Sequence, residues 1–495
     1  TLPLAADFLW IKKRSAVNSH QLVDTVRGDN SVLHTNSTND ARNPQTQFTG
    51  GGISSISGTT ATLSSGTSNN DNVNANNSTL VAWSWKAGGS KNTFNVDDVG
   101  YANASDVNMS VGALNSISYD QSQDFYGSGT ASGSWTGSYD WEGVFNSADV
   151  TTLGDADSMA TTGTTKFTFG SAVSVISTVT LYIRSQSGTT NITLNDGLST
   201  IISSTAPQNN NLVPFDISFN GNLSNIQISY SSSDYCYISG IAVDGKILVD
   251  SGVTPPNVPS SAPTGASVGT KQGFSIIKHT GTGSAGTLPH GLTQKPEFYI
   301  SKPVTVGGSW AVYTEFIDGS LDYLYLNSTA TKGDSGQLGP TSEVFSYGYT
   351  ADEYIHYLWH SVPGFSKFSK WVGNNSNSGA FIELGFKPAL IIFKCSDAGE
   401  NWYIIDSSRH PFNKATPSSN AVGAVNSLNA DTNHTETTSR EGHTNTTVDL
   451  LSNGFKIRTT NSASGEISYG SRTYIYAAWA EAPAFNLFGA QSNAR

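Results

Sequence analysis

The chain has 495 residues, a formal net charge of −12 and only 13% charged residues, so it has length for two to four domains with real cores. Its few Lys and Arg do not cluster, which argues against nucleic acid or an anionic membrane surface as a partner. Two cysteines far apart in sequence, Cys236 and Cys395, exclude a disulfide framework and a thiolate zinc site. No apolar run reaches about 18 residues, the length a spanning helix needs.

In chain order, Phe8 to Ile11 is an apolar run of strand type, and Gln21 to Arg27 is a short alternating strand stopped at Gly28. Residues 64–78 are a polar Ser/Asn loop. The run Leu80-Val81-Ala82-Trp83-Ser84-Trp85 closes a first unit, residues 1–87. Alternate residues of a strand face opposite sides. Neither side of this run is cleanly polar, so it is predicted to be a central strand buried on both faces. Residues 88–117 read as a spacer rich in Gly, Asn and Asp. From 118 to 253 the character changes. Strand candidates lie at 166–169, 179–184, 191–194, 212–219, 226–230 and 235–243. Turn residues separate them at spacings of roughly 8 to 12, the signature of a jelly roll or related sandwich. The module closes with a hairpin turning at Asp244-Gly245. Residues 254–264 carry four prolines and form a semi-rigid linker. Two further units run over 265–371 and 372–495.

These units are repeats. Lys295-Pro296, Lys302 and Trp310 recur 92 residues later as Lys387-Pro388, Lys394 and Trp402. Lys278 and Gly281 recur at the same offset as Lys370 and Gly373. A clipped copy opens the chain: Phe8 to Lys12, with His20 in the tryptophan position. Leu33-His34-Thr35-Asn36-Ser37-Thr38 matches Leu324-Tyr325-Leu326-Asn327-Ser328-Thr329. The closing run recurs as Tyr354 to Trp359 and Tyr474 to Trp479. Constant spacing at several positions marks a true internal repeat. Trp310 and Trp402 are read as core because they recur at one structural position. The first copy lacks the Lys-Pro strand of the others, so a part preceding Thr1 is expected to be cleaved or absent. The third copy carries a Ser/Asn/Thr-rich excess at 413–447, read either as a binding loop or as a tolerated surface insertion.

Residues that carry chemistry occur without the spacing that chemistry needs. Asp97-Asp98, Asp155 with Asp157, and Asp322 with Glu315 are carboxylate pairs in no acid/base motif. His410, His434 and His443 lie near Asp406, Asp431 and Glu436 but lack zinc-type spacing. The Asn/Asp run at 69–77 lacks the ordered ligands of a calcium loop. Neither Gly-x-Ser-x-Gly nor a phosphate-binding glycine loop is present. No catalytic residue, metal ligand or cofactor is therefore assigned. The binding candidates are Trp135, Tyr139 and Trp141, set in a Gly/Ser-rich stretch. Exposed aromatic rings there would make a platform for sugar faces; the competing reading has them plug one end of the module.

Asp7-Phe-Leu-Trp-Ile-Lys-Lys-Arg-Ser15, Thr79 to Gly89, Asn92 to Tyr101, Lys278-His-Thr-Gly281, Leu450 to Lys456 and the terminal Ser492-Asn-Ala-Arg495 resemble a repeat family found in virion proteins of tailed bacteriophages, especially marine ones. The resemblance covers all but about 118–253, and the Val-Asp-Gly-Lys-x-Leu-Val-Asp ending at 243–250 is similar to modules of phage structural proteins. It implies a tail-fibre or other structural role and supplies no catalytic residue. The expectation is an all-β protein of tandem β-sandwich repeats with an inserted jelly-roll-like β-sandwich domain. As a fibre it would be a homotrimer on the extracellular virion, at the tail, bound to other virion proteins and to host-surface glycan. The alternatives are a capsid decoration or head-fibre protein, and a virion-borne polysaccharide-degrading enzyme.

Overall fold

The computed structural model describes residues 2, 4–48, 50–64, 73, 76–104, 107, 119–120, 122–146, 150, 153, 158–198, 201–251, 259–348, 351–376, 378–410, 413, 426–436, 446–459, 467 and 469–480. The polar run at 69–77 and the loop at 413–447 lie largely outside these residues, as do Asp155, Asp157 and His443. Among the described residues the chain is nearly all β, in several separate antiparallel sheets without a closed barrel. It divides into two compact units, residues 1–115 with 259–495, and residues 116–258.

The first repeat supplies β1 (Phe8–Lys13), β2 (Gln21–Asp24), β3 (Ile53–Ser57), β4 (Thr60–Leu63) and β5 (Leu80–Trp85). Its main sheet has the order β2-β1-β5, and β3 with β4 forms a separate hairpin. The expected spacer is not featureless. It contributes β6 (Phe94–Val96) and β7 (Val99–Tyr101), joined at Asp97-Asp98, both at positive φ (49° and 68°). That is the tight-turn conformation for which Asp and Asn are suited.

The second unit holds β8 (Tyr119–Asp120), α1 (Phe125–Ser128), β9 (Thr130–Gly133), α2 (Trp141–Asn146), β10 (Met159–Thr161), β11 (Thr164–Val175) and β12 (Thr178–Ser185). Then come β13 (Thr190–Asn195), β14 (Ile201–Ala206), β15 (Asn209–Ser218), β16 (Gly221–Tyr230), β17 (Cys236–Val243) and β18 (Lys246–Leu248). One sheet runs β15-β12-β17-β18-β8 with β10 beside β17, and the other runs β14-β13-β16-β11-β9. Period-2 alternation builds the core. Val179, Leu181 and Ile183 of β12 point inward, as do Ile192 and Leu194 of β13 and Ile226 and Ile228 of β16.

The second repeat follows with β19 (Gly265–Gly269), β20 (Phe274–Thr280), β21 (Gly286–Pro289), β22 (Phe298–Pro303), β23 (Ala311–Thr314), β24 (Asp322–Tyr325), β25 (Gly333–Asp334), β26 (Val344–Tyr347) and β27 (Glu353–Trp359). The third has β28 (Ser366–Val372), β29 (Ser378–Glu383), β30 (Pro388–Cys395), β31 (Tyr403–Asp406), β32 (Leu428–Asn429), β33 (Thr446–Leu451), β34 (Gly454–Thr459) and β35 (Thr473–Ala480). Their main sheets run β25-β24-β23-β22-β27-β20-β19-β6-β7 and β28-β35-β30-β31-β32. Thus β27 and β35 are central strands, as their all-round apolar pattern predicts. The matching strand β5 is instead an edge, because the first repeat has no counterpart of β20 or β28 among the described residues.

The three repeats share one core and keep a private one each. Phe8 and Trp10 face the common core, while Leu9 and Ile11 face the first repeat's own. Phe298 and Ile300 face the common core and Tyr299 the second repeat's. Leu390 and Ile392 do the same opposite Ile391 and Phe393. Lys12, Lys302 and Lys394 occupy one position in the three repeats and are buried. Each ammonium finds a carbonyl: Lys13 O at 2.7 Å, Pro303 O at 2.8 Å and Glu400 O at 2.6 Å. Burial pushes all three down to about 8.

The side chains at one recurring position donate to the neighbouring repeat in one rotational sense. Trp310 Nε1 donates to His34 O (2.9 Å) and Ser37 O (3.2 Å), from second repeat to first. Trp402 Nε1 donates to Tyr325 O (2.8 Å), from third to second. His20 Nε2 donates to Asn429 O (3.0 Å) and Thr432 O (3.1 Å), from first to third. His20 Nδ1 accepts from Trp10 Nε1 at 2.8 Å, which fixes the proton on Nε2. Three backbone bonds cross the same interfaces with donor and acceptor exchanged: Ala41 N donates to Val304 O (2.9 Å), Lys332 N to Ser396 O (2.9 Å) and Glu436 N to Arg14 O (3.0 Å). Head-to-tail contacts whose rotation closes make a ring; here the ring closes within one chain.

Candidate functional site

The three aromatic candidates do not stand together. Trp141 opens α2, whose Trp141, Val144 and Phe145 share the buried helical face. It has no exposure, donates Nε1 to Thr165 Oγ1 at 2.8 Å and packs on Phe167. It belongs to the core and takes no part in a surface. The i, i+3, i+4 spacing after Asp140, whose Oδ1 accepts the Glu142 N–H, is the signal that marks this helix. Trp135 is 38% exposed. Tyr139 is half-buried, held by a bridge to Thr136 and by Ala160 N donating to its carbonyl.

Tyr139 meets residues that sequence reading did not single out. Its ring lies 5.9 Å from that of Tyr237, edge-on at 78°. Tyr235 is 6.0 Å from Tyr237 on the chain just before β17. Arg184 lies opposite Tyr237 in the β12–β17 register, with its guanidinium 5.5 Å from that ring. The β12 alternation explains this: Thr180, Tyr182 and Arg184 take the side away from Val179, Leu181 and Ile183. Arg184 Nε has no hydrogen-bond partner among the described residues. Burial and the neighbouring Asp216 push the Tyr182 phenol up. The result is a cluster of three tyrosine rings centred on Tyr237, with the half-buried Arg184 guanidinium against that central ring. Such a surface suits a flat, partly apolar ligand carrying an anionic or acceptor group.

The carboxylate candidates carry structural duties. Glu315 pairs with Lys295 (2.5 Å), while Asp318 and Asp322 share Lys332. Asp98 pairs with Lys86 (2.6 Å), and Asp97 accepts the Thr270 N–H. Among the described residues no group of His, Cys, Asp and Glu is placed to hold a metal ion. Cys236 and Cys395 are both buried, and burial pushes the Cys236 thiol up to about 12.

One polar chain was invisible in the sequence because its members come from three strands. Ser301 Oγ lies 2.7 Å from His356 Nδ1, and His356 Nε2 lies 2.9 Å from His279 Nδ1. Burial lowers both imidazoles, His279 to about 4. All three residues are buried, so the serine is closed to a macromolecular substrate. The chain is an internal network.

The ring of repeats corresponds to a family unit. Residues 1–112 and 248–483 match the model of a family described as Domain of unknown function (DUF7483). The chain belongs to this family. The match to the DUF7483 family skips most of the second unit, so all three repeats form one family domain with the module carried inside its sequence. No curated protein matches the chain.

Proposed function

We propose that the chain is a non-catalytic structural protein of a tailed-bacteriophage virion, a tail fibre or fibre-like adhesin displaying a glycan-binding module. In this reading each repeat is a β-sandwich, main sheet against small outer sheet, and the second unit is a jelly-roll-like sandwich. The observation that carries the binding role is the Tyr139–Tyr237–Arg184 surface, an aromatic platform with a half-buried guanidinium against its central ring. The motif resemblance supports the virion placement, and the closed ring supports a scaffolding role. The ligand class is a host-envelope saccharide bearing carboxylate or other acceptor groups.

Purified chain titrated with envelope polysaccharides, acidic and neutral, tests this. Tyr237→Ala or Arg184→Ala should weaken binding of the acidic polymer on the order of tenfold, one lost ring or charged contact being worth about 1–3 kcal/mol. Unchanged binding in both variants, or new reducing ends released by the native chain, would refute the reading. The proposal includes a homotrimer. A single solution species at the chain mass of 52.3 kDa would leave the internal ring as the sole three-fold element.

A further inference from the structure

The ring has one unfinished seam. In the second and third repeats the closing strand is flanked on both edges, β27 by β20 and β22, β35 by β28 and β30. In the first, β5 pairs with β1 alone, and its other edge meets no described strand. Burial follows: β35 is buried over seven of eight residues, whereas Leu80 and Ala82 of β5 are exposed. Beside this edge lies a cavity of about 220 Å³ whose walls include Val81, Trp85, Trp359, Leu390, Trp479 and Ala480. Trp359 and Trp479 are buried, and neither indole N–H has an acceptor among the described residues. A sheet edge exposes a row of backbone donors and acceptors ready to pair with another strand.

The chain itself holds a matching sequence. Trp359 is followed by Pro363, Phe365 and Phe368, and Trp479 by Pro483, Phe485 and Phe488, all 120 residues apart. After Trp359 this stretch becomes β28 and pairs with the next closing strand, Ser366 opposite Trp479 and Phe368 opposite Ala477. Phe368 there packs on Trp479 and Phe298. Around the ring, the repeat after the third is the first, and its closing strand is β5. The residues matching Trp479 and Phe298 are then Trp85 and Leu390, both in the cavity wall.

We propose that the C-terminal segment 485–490 is the strand this edge takes. It would pair antiparallel with β5, with Asn486 opposite Trp85, Leu487 opposite Ser84 and Phe488 opposite Trp83. Phe488 fills the cavity between Trp85 and Leu390, and the added backbone brings carbonyl acceptors to the cavity wall. The connection has the right length. Trp359 to Ser366 and Trp479 to Asn486 span the same number of residues, and Ala480 already lines the cavity. This pairing seals the shared core whatever the protein binds.

Cysteine pairing in the full chain tests it. Facing strand residues sit within disulfide reach, so Ser84→Cys with Leu487→Cys should cross-link within one chain on mild oxidation. Ser84→Cys with Ser492→Cys, out of register, should not. A cross-link between two chains would overturn the proposal in favour of strand exchange between copies, and no cross-link would overturn it outright. Deleting residues 485–495 should lower the melting temperature of the ring on the order of 5 °C, and a peptide of residues 483–491 should restore it. Unchanged melting on deletion would equally overturn the assignment, because the edge would then be closed by another segment or left open.

Discussion

Tyr357, Trp83 and Ala477 occupy one position in three repeats, and they differ because what lies across each interface differs. Tyr357 OH donates to Asp24 Oδ2 (2.7 Å), and Trp83 Nε1 donates to Asp406 Oδ2 (3.0 Å). Each aspartate also holds a buried arginine, Asp24 with Arg27 and Asp406 with Arg409, at 2.5 Å in both. In the third interface the corresponding residues are Thr314 and Ile317, and the donor position is Ala477. At this position two seams carry a buried Asp–Arg pair and the third does not. Breaking a buried pair strands the remaining charge and costs about 3–5 kcal/mol, while replacing all partners with apolar groups is often nearly neutral. Arg27→Ile alone should therefore destabilise by about 3–5 kcal/mol. Asp24→Thr with Arg27→Ile and Tyr357→Phe, which removes the Asp–Arg pair as in the third seam, should recover most of that in urea denaturation. A triple variant no better than the single would show that the seam does not act as a unit. The recurrence of Trp310, Trp402 and His20 was legible at this scale. Their acceptors were not, because each lies in another repeat, up to 412 residues away in sequence for His20.

At the scale of elements, strand alternation was readable in both units, and the misreadings share one cause. The run Leu80 to Trp85 resembles its two counterparts, yet among the described residues it forms an edge, since a strand's own residues do not state whether a neighbour is present. Residues 88–117 read as spacer because three-residue strands such as Phe94–Val96 carry too few alternations to register. The second repeat has a further property that follows from its layers. His279 of β20 sits 4.6 Å from Tyr347 of the outer β21–β26 sheet, and His356 of β27 sits 5.0 Å from Phe345. His290 follows β21. Burial holds His279 at about 4 and His290 at about 3. An unfolded histidine titrates near 6.5, so below that pH the unfolded chain binds more protons than the folded one. Stability should thus fall as pH drops from 6.5 toward 4, by about 1.4 kcal/mol per pH unit for each such histidine. Urea midpoints measured from pH 7 to pH 4.5 should slope downward, and His279→Phe should flatten the slope by one histidine's share. Equal slopes in the two proteins would sink this account.

For the whole molecule, core membership sets cooperativity. Phe8, Phe298 and Leu390 of three repeats meet in one cluster with Trp85, Trp359 and Trp479, whereas the second unit packs around its own Phe167 and Leu181. Repeats sharing a core should unfold together, and a unit with a separate core should unfold by itself. Calorimetry should show two transitions. Trp479→Ala should lower only one of them and Phe167→Ala only the other, each by about 3–5 kcal/mol of stability. A single transition shifted by both variants would contradict the division. The break in the DUF7483 match at the second unit follows the same boundary.

The sequence alone determined the β character, the three-fold recurrence and the foreign nature of residues 118–253, because these rest on periodicity and composition, which are local. Tertiary structure alone decided that the repeats close into a ring, that β5 pairs with β1 alone among the described residues and that Arg184 joins Tyr139 and Tyr237 on one surface. Each of those depends on which distant segment lies alongside, and the geometry of pairing and packing settles that between residues which share no local pattern.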